Sequence, residues 1–460
     1  MIRRLLAWLD DRSGVVTWAR HALEHPVPRR TGWWYVFGSA TFIAFMLQVV
    51  TGIALATAYV PSSGDAYDSL RFITEQALLG RFLRGLHYFG ASAMVLLIGI
   101  HVARVYVMAA YKFPRELNWL SGALLLLLTL ALAFTGQLLR WDQTAVWSVI
   151  VAAAQAGRMP FVGGDLARFI LAGDTVGGTT LSRFFAFHVF FLPALVFLLV
   201  GLHLWLVLKH GISEPPELGN PVDKATYRER YAELLRRDGV PFWPDAAWRD
   251  VVFGAGVVSV VALLAVVIGP PALGAPPDPS ILEAYPRPDW YFLWYFAVLA
   301  LTPQHLETVV IILAPLIFGA VLLLVPVFNT GERSVRRRPW AGIVVLLIVF
   351  VIATFWVAGQ RAPWSPDFNA KPLGAATVRD SSTAVVTGAK LFHDKGCEFC
   401  HAIEGQGGKR GPDLTLVATR MSPLEMVGRI TNGGPNMPAY VSSLTQEELD
   451  AIVAFLATRK

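Results

Sequence analysis

Residues 87–101 read H-Y-F-G-A-S-A-M-V-L-L-I-G-I-H, and residues 188–203 read H-V-F-F-L-P-A-L-V-F-L-L-V-G-L-H. Both stretches are apolar between their terminal histidines, which stand 14 apart in the first and 15 apart in the second. Ionisable groups at membrane depth are costly and rare, so His87, His101, His188 and His203 are each functional candidates. On a helix turning about 100° per residue, 14 or 15 residues bring both members of a pair back to one broad face. At 1.5 Å per residue they lie about 21–22 Å apart, inside a hydrocarbon core about 30 Å thick. Two haems stacked across a membrane, each clamped between two imidazoles, suit that geometry. Four hydrogen-bonded core histidines are the competing reading, and two matched pairs make it the weaker one.

Working outward, the composition is that of a membrane protein with a soluble appendage. Hydrophobic residues make up 55% and charged residues 16% of the 460, against about 25% charged in ordinary soluble domains. Apolar stretches long enough to span run near 33–58, 85–109, 118–139, 184–208, 250–269, 307–328 and 340–358, which predicts seven transmembrane helices. Ile2–Asp11 is too short and too charged for a cleavable signal peptide, so the first span is expected to act as the insertion signal.

Lys and Arg set the expected orientation. The arm 1–32 carries Arg3, Arg4, Arg12, Arg20, Arg29 and Arg30, and the fourth and sixth loops are as basic, with Arg228, Arg230, Arg236 and Arg237, then Arg333, Arg336, Arg337 and Arg338. Alternate loops hold few: Arg71 and Arg81, then Arg158 and Arg168, then Arg287. The positive-inside rule then makes the N-terminus cytoplasmic. The net charge of +6 is therefore a topology signal and not a nucleic-acid footprint. Seven crossings put everything after about residue 360 on the outer face. The only two cysteines, Cys397 and Cys400, fall there in C-E-F-C-H, which ends at His401. That motif reads as covalent haem c attachment, a chemistry carried out outside the cytoplasm in bacteria, so charge and motif agree.

The second and fourth helices run the same way, which pairs His87 with His188 near the outer surface and His101 with His203 near the inner one. Glycines follow the same interval: Gly38 and Gly52 in the first helix, Gly122 and Gly136 in the third, 14 apart in both. Those helices run oppositely, so Gly52 and Gly136 belong to the outer layer and Gly38 and Gly122 to the inner. A glycine lets backbone approach a flat porphyrin; ordinary small-residue helix packing is the alternative for any one of them. Arg84 and Arg104, three residues from His87 and His101, are candidates to meet haem propionates, with snorkelling to the interface as the alternative.

With these residues in hand, 1–360 resembles cytochrome b of the quinol:cytochrome c oxidoreductase (cytochrome bc) family. The matching pieces are L-Q-V-V-T-G at 47–52, F-P-R-E-L-N-W at 113–119, W-D-Q at 141–143, T-L-S-R-F-F-A-F-H at 180–188 and P-D-W-Y at 288–291. The 15-residue histidine spacing and the lack of an eighth helix resemble the chloroplast-type branch, in which the equivalent polypeptide is split in two. Two departures stand out. Where that branch holds an extra haem through a cysteine, this chain has Val36, and a basic residue after the fourth histidine is replaced by Leu208. The residues of an inner quinone site stay open.

The resemblance implies quinol oxidation at the outer face, between the loop 270–305 and the segment 141–182. In relatives a glutamate of P-E-W-Y accepts a quinol proton. Asp289 stands there, one methylene shorter, with Tyr291 as the second hydrogen-bonding candidate; without the resemblance Asp289 reads as a helix N-cap before an aromatic run. Residues 154–172 are too short and broken to span and read as surface helices. The resemblance further implies a bifurcated reaction, one electron passing to a Rieske iron–sulfur protein and the other through the outer and inner haems b to a second quinone. Both cysteines being assigned, a separate subunit must supply the Rieske centre.

Residues 361–383, with Pro363, Pro366, Pro372 and Gly374, form a breaker-rich linker. From 384 to 460 the chain resembles a small class I cytochrome c. Cys397 and Cys400 are expected to carry thioethers, His401 to be the proximal ligand, and Met437 in N-M-P-A-Y the distal one, with Met421 and Met426 as competitors. G-P-D-L at 411–414 matches a loop of that family, and Thr445 with Glu448 predicts a capping box opening the last helix. Zinc or disulfide use of the cysteines is disfavoured by His401 directly after them.

The expected fold is therefore all-α: a seven-helix transmembrane di-haem bundle, divided into a four-helix core at 33–209 and a three-helix part at 210–360, plus a small all-α class I cytochrome c domain. The expected cofactors are two non-covalent haems b and one covalent haem c, with quinol and quinone as substrates. The expected partners are a Rieske protein, a soluble cytochrome or terminal oxidase as acceptor, the quinone pool and membrane lipid, in a homodimer of the complex at the bacterial inner membrane. Two other functions fit less of the chain. A Rieske-independent haem relay needs no outer quinol site such as P-D-W-Y marks, and a non-catalytic haem sensor needs neither that site nor an acceptor domain.

Overall fold

The computed structural model of the protein describes residues 1–277, 287–327, 331–361, 367, 369–433, 437, 439–441 and 443–460. Part of the outer-loop expectation (278–286), of the linker (362–366 and 368) and of the N-M-P-A-Y motif (Asn436 and Pro438) lies outside these residues.

Among the described residues, seven helices are long and apolar enough to cross a membrane: Phe37–Ala56, Gly80–Val107, Glu116–Leu138, Gly178–His210, Phe242–Val267, His305–Leu324 and Pro339–Gln360. They are called the first to seventh spans below. Their large apolar side chains, such as Val50, Ile53, Leu198, Val266 and Leu346, point outward and are more than half exposed, as expected of surface meant for lipid. Strand structure among the described residues is confined to two short antiparallel pairs, Pro26–Pro28 with Gly239–Pro241 and Ala402–Ile403 with Gln406–Gly407.

The described chain divides into two compact units: 1–149, 168–276 and 309–352, and 150–167, 277–308 and 353–460. In the first, the first span packs along the second, the third along the fourth, and the fifth against the first two. Small residues make this close packing possible: Ala40 and Ala44 are buried beside Phe45, Met94, Leu97 and Val196. A Cβ on Gly85 would come within 2.9 Å of Ala265 Cβ, so a larger residue would push the second and fifth spans apart.

The fourth span is not a uniform helix. An α-helical stretch, Gly178–Ala186, passes through a π turn at Phe187–Phe191 before the α-helix Leu192–His210. Pro193 has no N–H to donate to the carbonyl four residues back, and the Leu192 N–H instead bonds to the Phe187 carbonyl. Such a turn wraps one surplus residue into the helix.

In the second unit, residues 383–457 build a small helical body. Helices Thr383–Asp394 and Gln446–Ala457 cross where a Cβ on Gly388 would lie 2.0 Å from the Ala451 carbonyl oxygen. The core is Val385, Phe392, Ile403, Met426, Ile430, Leu449, Ile452 and Phe455. Thr445 and Glu448 do form the capping box of the last helix. Its buried stripe is Leu449, Ile452, Val453, Phe455 and Leu456, with Phe455 fully buried. The predicted surface segment 154–172 contains the end of the helix Gln143–Ala156 and the short helix Gly163–Leu171.

Candidate functional site

The four histidines lie in two layers of the first unit. His87 and His188 face one another with ring centroids 6.2 Å apart and planes at 82°. Two metal–imidazole bonds of about 2.0–2.1 Å, plus roughly 1 Å from each nitrogen to its ring centre, need about that separation. The glycines lie directly over the rings. A Cβ on Gly52 would stand 3.2 Å from His87 Cε1, and one on Gly136 2.6 Å from His188 Cε1. In the other layer, Gly38 faces His101 (3.1 Å to Cε1) and Gly122 faces His203 (3.4 Å to Cε1). Each ring thus sits in a cradle that a side chain would fill.

The π turn explains the unequal intervals. It absorbs one residue between His188 and His203, so their 15-residue separation turns through the same angle as the 14 between His87 and His101. In a straight α-helix the extra residue would turn the second ring about 100° further than in the other span.

Hydroxyl side chains that sequence reading passed over hold three of the rings. Thr51 Oγ1 lies 2.9 Å from His87 Nδ1, Thr135 Oγ1 3.2 Å from His188 Nδ1, and Ser121 Oγ 2.8 Å from His203 Nδ1. A visible signal existed: each immediately precedes one of the glycines, Gly52, Gly136 and Gly122. With Nδ1 engaged, Nε2 is the nitrogen left for a metal, which fits haem ligation.

The two arginines differ. Arg104 stacks its guanidinium 3.6 Å from the centre of the Tyr35 ring, and its buried Nε and Nη2 have no hydrogen-bond partner in the described structure. Those orphan donors fit a carboxylate such as a haem propionate. Arg84, 7% exposed, donates instead to Thr74 Oγ1 (3.1 Å) and the Pro271 carbonyl (2.9 Å). It belongs to a clamp on residues 271–275. Tyr67 donates to the Gly274 carbonyl (2.8 Å), Asp142 Oδ2 accepts from Gly274 N (3.2 Å), and Gln143 N donates to the Ala275 carbonyl (2.9 Å).

In the second unit, Asp289 accepts a hydrogen bond from the Tyr291 hydroxyl at 3.0 Å. The N-cap of the following helix, Leu293–Leu301, is Phe292, so Asp289 is not the cap that its sequence context also allowed. Trp290, Tyr291 and Phe292 meet edge-on at 5.0–5.4 Å. The same unit holds Arg158 paired with Glu307 at 3.0 Å, both side chains largely covered.

Cys397 and Cys400 lie on one helical turn, with His401 leaving it in an extended conformation. His401 Nδ1 pairs with the Pro412 carbonyl at 2.8 Å, again leaving Nε2 for a metal. Only glycine fits at Gly411, where a Cβ would lie 2.5 Å from His401 Cε1. Burial pushes the Cys397 thiol up to about 12 and raises that of Cys400, so both are neutral thiols near pH 7. Met437 is partly buried against the core of this body, as is Met421, whereas Met426 is 2% exposed within that core.

Comparison with known proteins assigns three family matches. The cytochrome b/b6/petB family matches residues 22–211, the cytochrome b (C-terminal)/b6/petD family residues 283–376, and the family of cytochrome c oxidase, cbb3-type, subunit III residues 383–456. Cytochrome b of Cereibacter sphaeroides is 33% identical over 386 residues, covering 78% of this chain and 84% of that protein. The menaquinol:cytochrome c reductase cytochrome b subunit of Bacillus subtilis is 38% identical over 224 residues, 47% of this chain and all of that protein. A solved hyperthermophilic respiratory complex III contains a similar chain, with a TM-score of 0.66 and 26% identity over 77% of this chain and 91% of that one.

Proposed function

Since the chain belongs to the cytochrome b family, as a bc-type cytochrome b continuous with a cytochrome c domain, we propose that it oxidises quinol at the outer membrane face by bifurcation. It is a multi-pass membrane subunit of a quinol:cytochrome c reductase. In the proposed reaction one electron leaves for a Rieske iron–sulfur protein and then the chain's own cytochrome c domain. The other crosses to the inner face, and quinol protons are released outside. A soluble cytochrome or terminal oxidase takes the electrons onward.

The observation that carries this reading is the pair of histidine layers, each ring set under a glycine. His87 with His188 would hold the outer haem b, and His101 with His203 the inner one. Arg104 would meet a propionate of the inner group through its unpartnered Nε and Nη2. Cys397 and Cys400 would bind haem c covalently, with His401 and Met437 on its iron. When bound, these groups supply one-electron transfer between the membrane faces and outward to the acceptor.

The polypeptide contributes position and proton handling. Asp289, held by the Tyr291 hydroxyl, would take a proton from the quinol hydroxyl, a task that suits a carboxylate within hydrogen-bond reach of its substrate. The clamp from Tyr67, Arg84, Asp142 and Gln143 holds residues 271–275 at the start of the outer loop. The basic N-terminal arm and loops support the reading of a cytoplasmic N-terminus at a bacterial inner membrane.

Gentle purification with native partners tests the proposal. The expected preparation contains two acid-extractable haems b and one covalent haem c per chain, a Rieske protein, and quinol:cytochrome c reductase activity. An active preparation without a Rieske protein would sink the bifurcated scheme.

A further inference from the structure

We propose that Thr51, Thr135 and Ser121 are ligand-positioning residues, and that their unequal distribution makes the His87–His188 layer the more electron-rich of the two. The inference rests on the reading of the four histidines as haem ligands.

The direction of each hydrogen bond follows from counting hydrogens. A hydroxyl has one to donate. Thr51 Oγ1 reaches the Leu47 carbonyl at 2.6 Å, Thr135 Oγ1 the Ala131 carbonyl at 2.9 Å, and Ser121 Oγ the Asn118 carbonyl at 3.0 Å. With its hydrogen spent on the helix backbone, each oxygen can only accept from the ring. The Nδ1 atoms of His87, His188 and His203 therefore carry the proton, and Nε2 keeps its lone pair for iron. An acceptor on Nδ1–H also raises the basicity of the imidazole. A more basic ligand favours the oxidised, more positive metal and lowers its potential.

The layers are not alike. The His87–His188 layer has two such acceptors, Thr51 and Thr135, and the His101–His203 layer has Ser121. The residue before the fourth glycine, Gly38, is Phe37, which has no hydroxyl. All else equal, the first layer then holds its electron less tightly than the second, which favours transfer from the quinol side inward. The rings of His188 and His203 also face the carbonyls of Leu132 and Asn118, which can retain the Nδ1 proton if the hydroxyl is lost. Thr51 consequently carries the most weight.

The test is potentiometric titration of the haem b bands in the purified complex. Thr51→Val keeps the β-branched shape and removes the acceptor. It is expected to raise the reduced-to-oxidised ratio of one haem b about three- to tenfold at fixed ambient potential, tenfold being 59 mV for a one-electron couple. Thr51→Ser should restore the parent value, Thr135→Val should move the same haem less, and Ser121→Ala should move only the other. Unmoved potentials in Thr51→Val with both haems present, or a Thr51→Ser that behaves like Thr51→Val, overturn the inference. If Thr51→Val does not assemble, Thr135→Val and Ser121→Ala decide by the same readout. The ligand reading fails separately, if His87→Ala retains both haems b.

Discussion

A methyl group added to a glycine of the histidine layers is the smallest change with a graded outcome. At Gly136 the new Cβ would sit 2.6 Å from the His188 ring, too close to be absorbed without moving that ring; at Gly38 and Gly52 it would sit at 3.1 and 3.2 Å, and at Gly122 at 3.4 Å, an ordinary contact. Overpacking of this kind costs about 1–3 kcal/mol. Haem b per polypeptide, read from the pyridine haemochrome, should fall most in Gly136→Ala, less in Gly38→Ala and Gly52→Ala, and least in Gly122→Ala; equal losses would show that the cradles do not set the fit. A second expectation concerns Asp289. Asp289→Asn should slow quinol oxidation severalfold or more with haem content unchanged, and Asp289→Glu should retain most activity. An unimpaired Asp289→Asn would remove this carboxylate from the proton path.

Elements decide whether those residues meet. The π turn at Phe187–Phe191 stores one surplus residue, so deleting Phe190, which is 64% exposed, should leave a regular helix with a 14-residue interval and two haems b. Deleting Leu96 from the second span instead reduces its interval to 13 and rotates one ring about 100° out of its layer. A reduced-minus-oxidised difference spectrum distinguishes them: parent-like for the first deletion, with loss of haem b for the second. The clamp on 271–275 is also an element-level device. Asp142→Ala would leave Ala145 N and Gly274 N without their carboxylate partner, at about 1–3 kcal/mol for groups this buried. Thermal release of haem b from the variant is expected at a lower temperature than from the parent.

At the scale of the whole molecule, the fused domain and the bundle are expected to load their cofactors independently. In a Cys397→Ser, Cys400→Ser double variant, haem staining after denaturing electrophoresis should vanish while the haem b spectrum persists. Joint loss of both would mean that the bundle depends on the C-terminal domain. If all seven candidate spans cross the membrane, the two ends of the chain lie on opposite faces. A periplasm-dependent reporter fused after Lys460 should be active, and one inserted near Leu218, in the basic fourth loop, should not.

Much of this protein was legible in one dimension. Membrane helices announce themselves through length and apolar composition because lipid demands that every backbone polar group be satisfied within the segment. For that reason seven spans, the paired histidines and the glycines above them could be read as intervals along the chain. The C-E-F-C-H motif is local chemistry and was legible for the same reason. What only the tertiary structure decided involves contacts between segments. The unequal histidine intervals were visible, but that a π turn reconciles them depends on which helical hydrogen bonds form. Arg84 stands near His87 in sequence, yet its guanidinium goes to Thr74 and to Pro271, 187 residues further on. Thr51, Ser121 and Thr135 are ordinary helix residues until another helix brings a histidine against them. Spacing along a helix fixes which residues share a face, whereas the partner across that face depends on helices distant in sequence packing together.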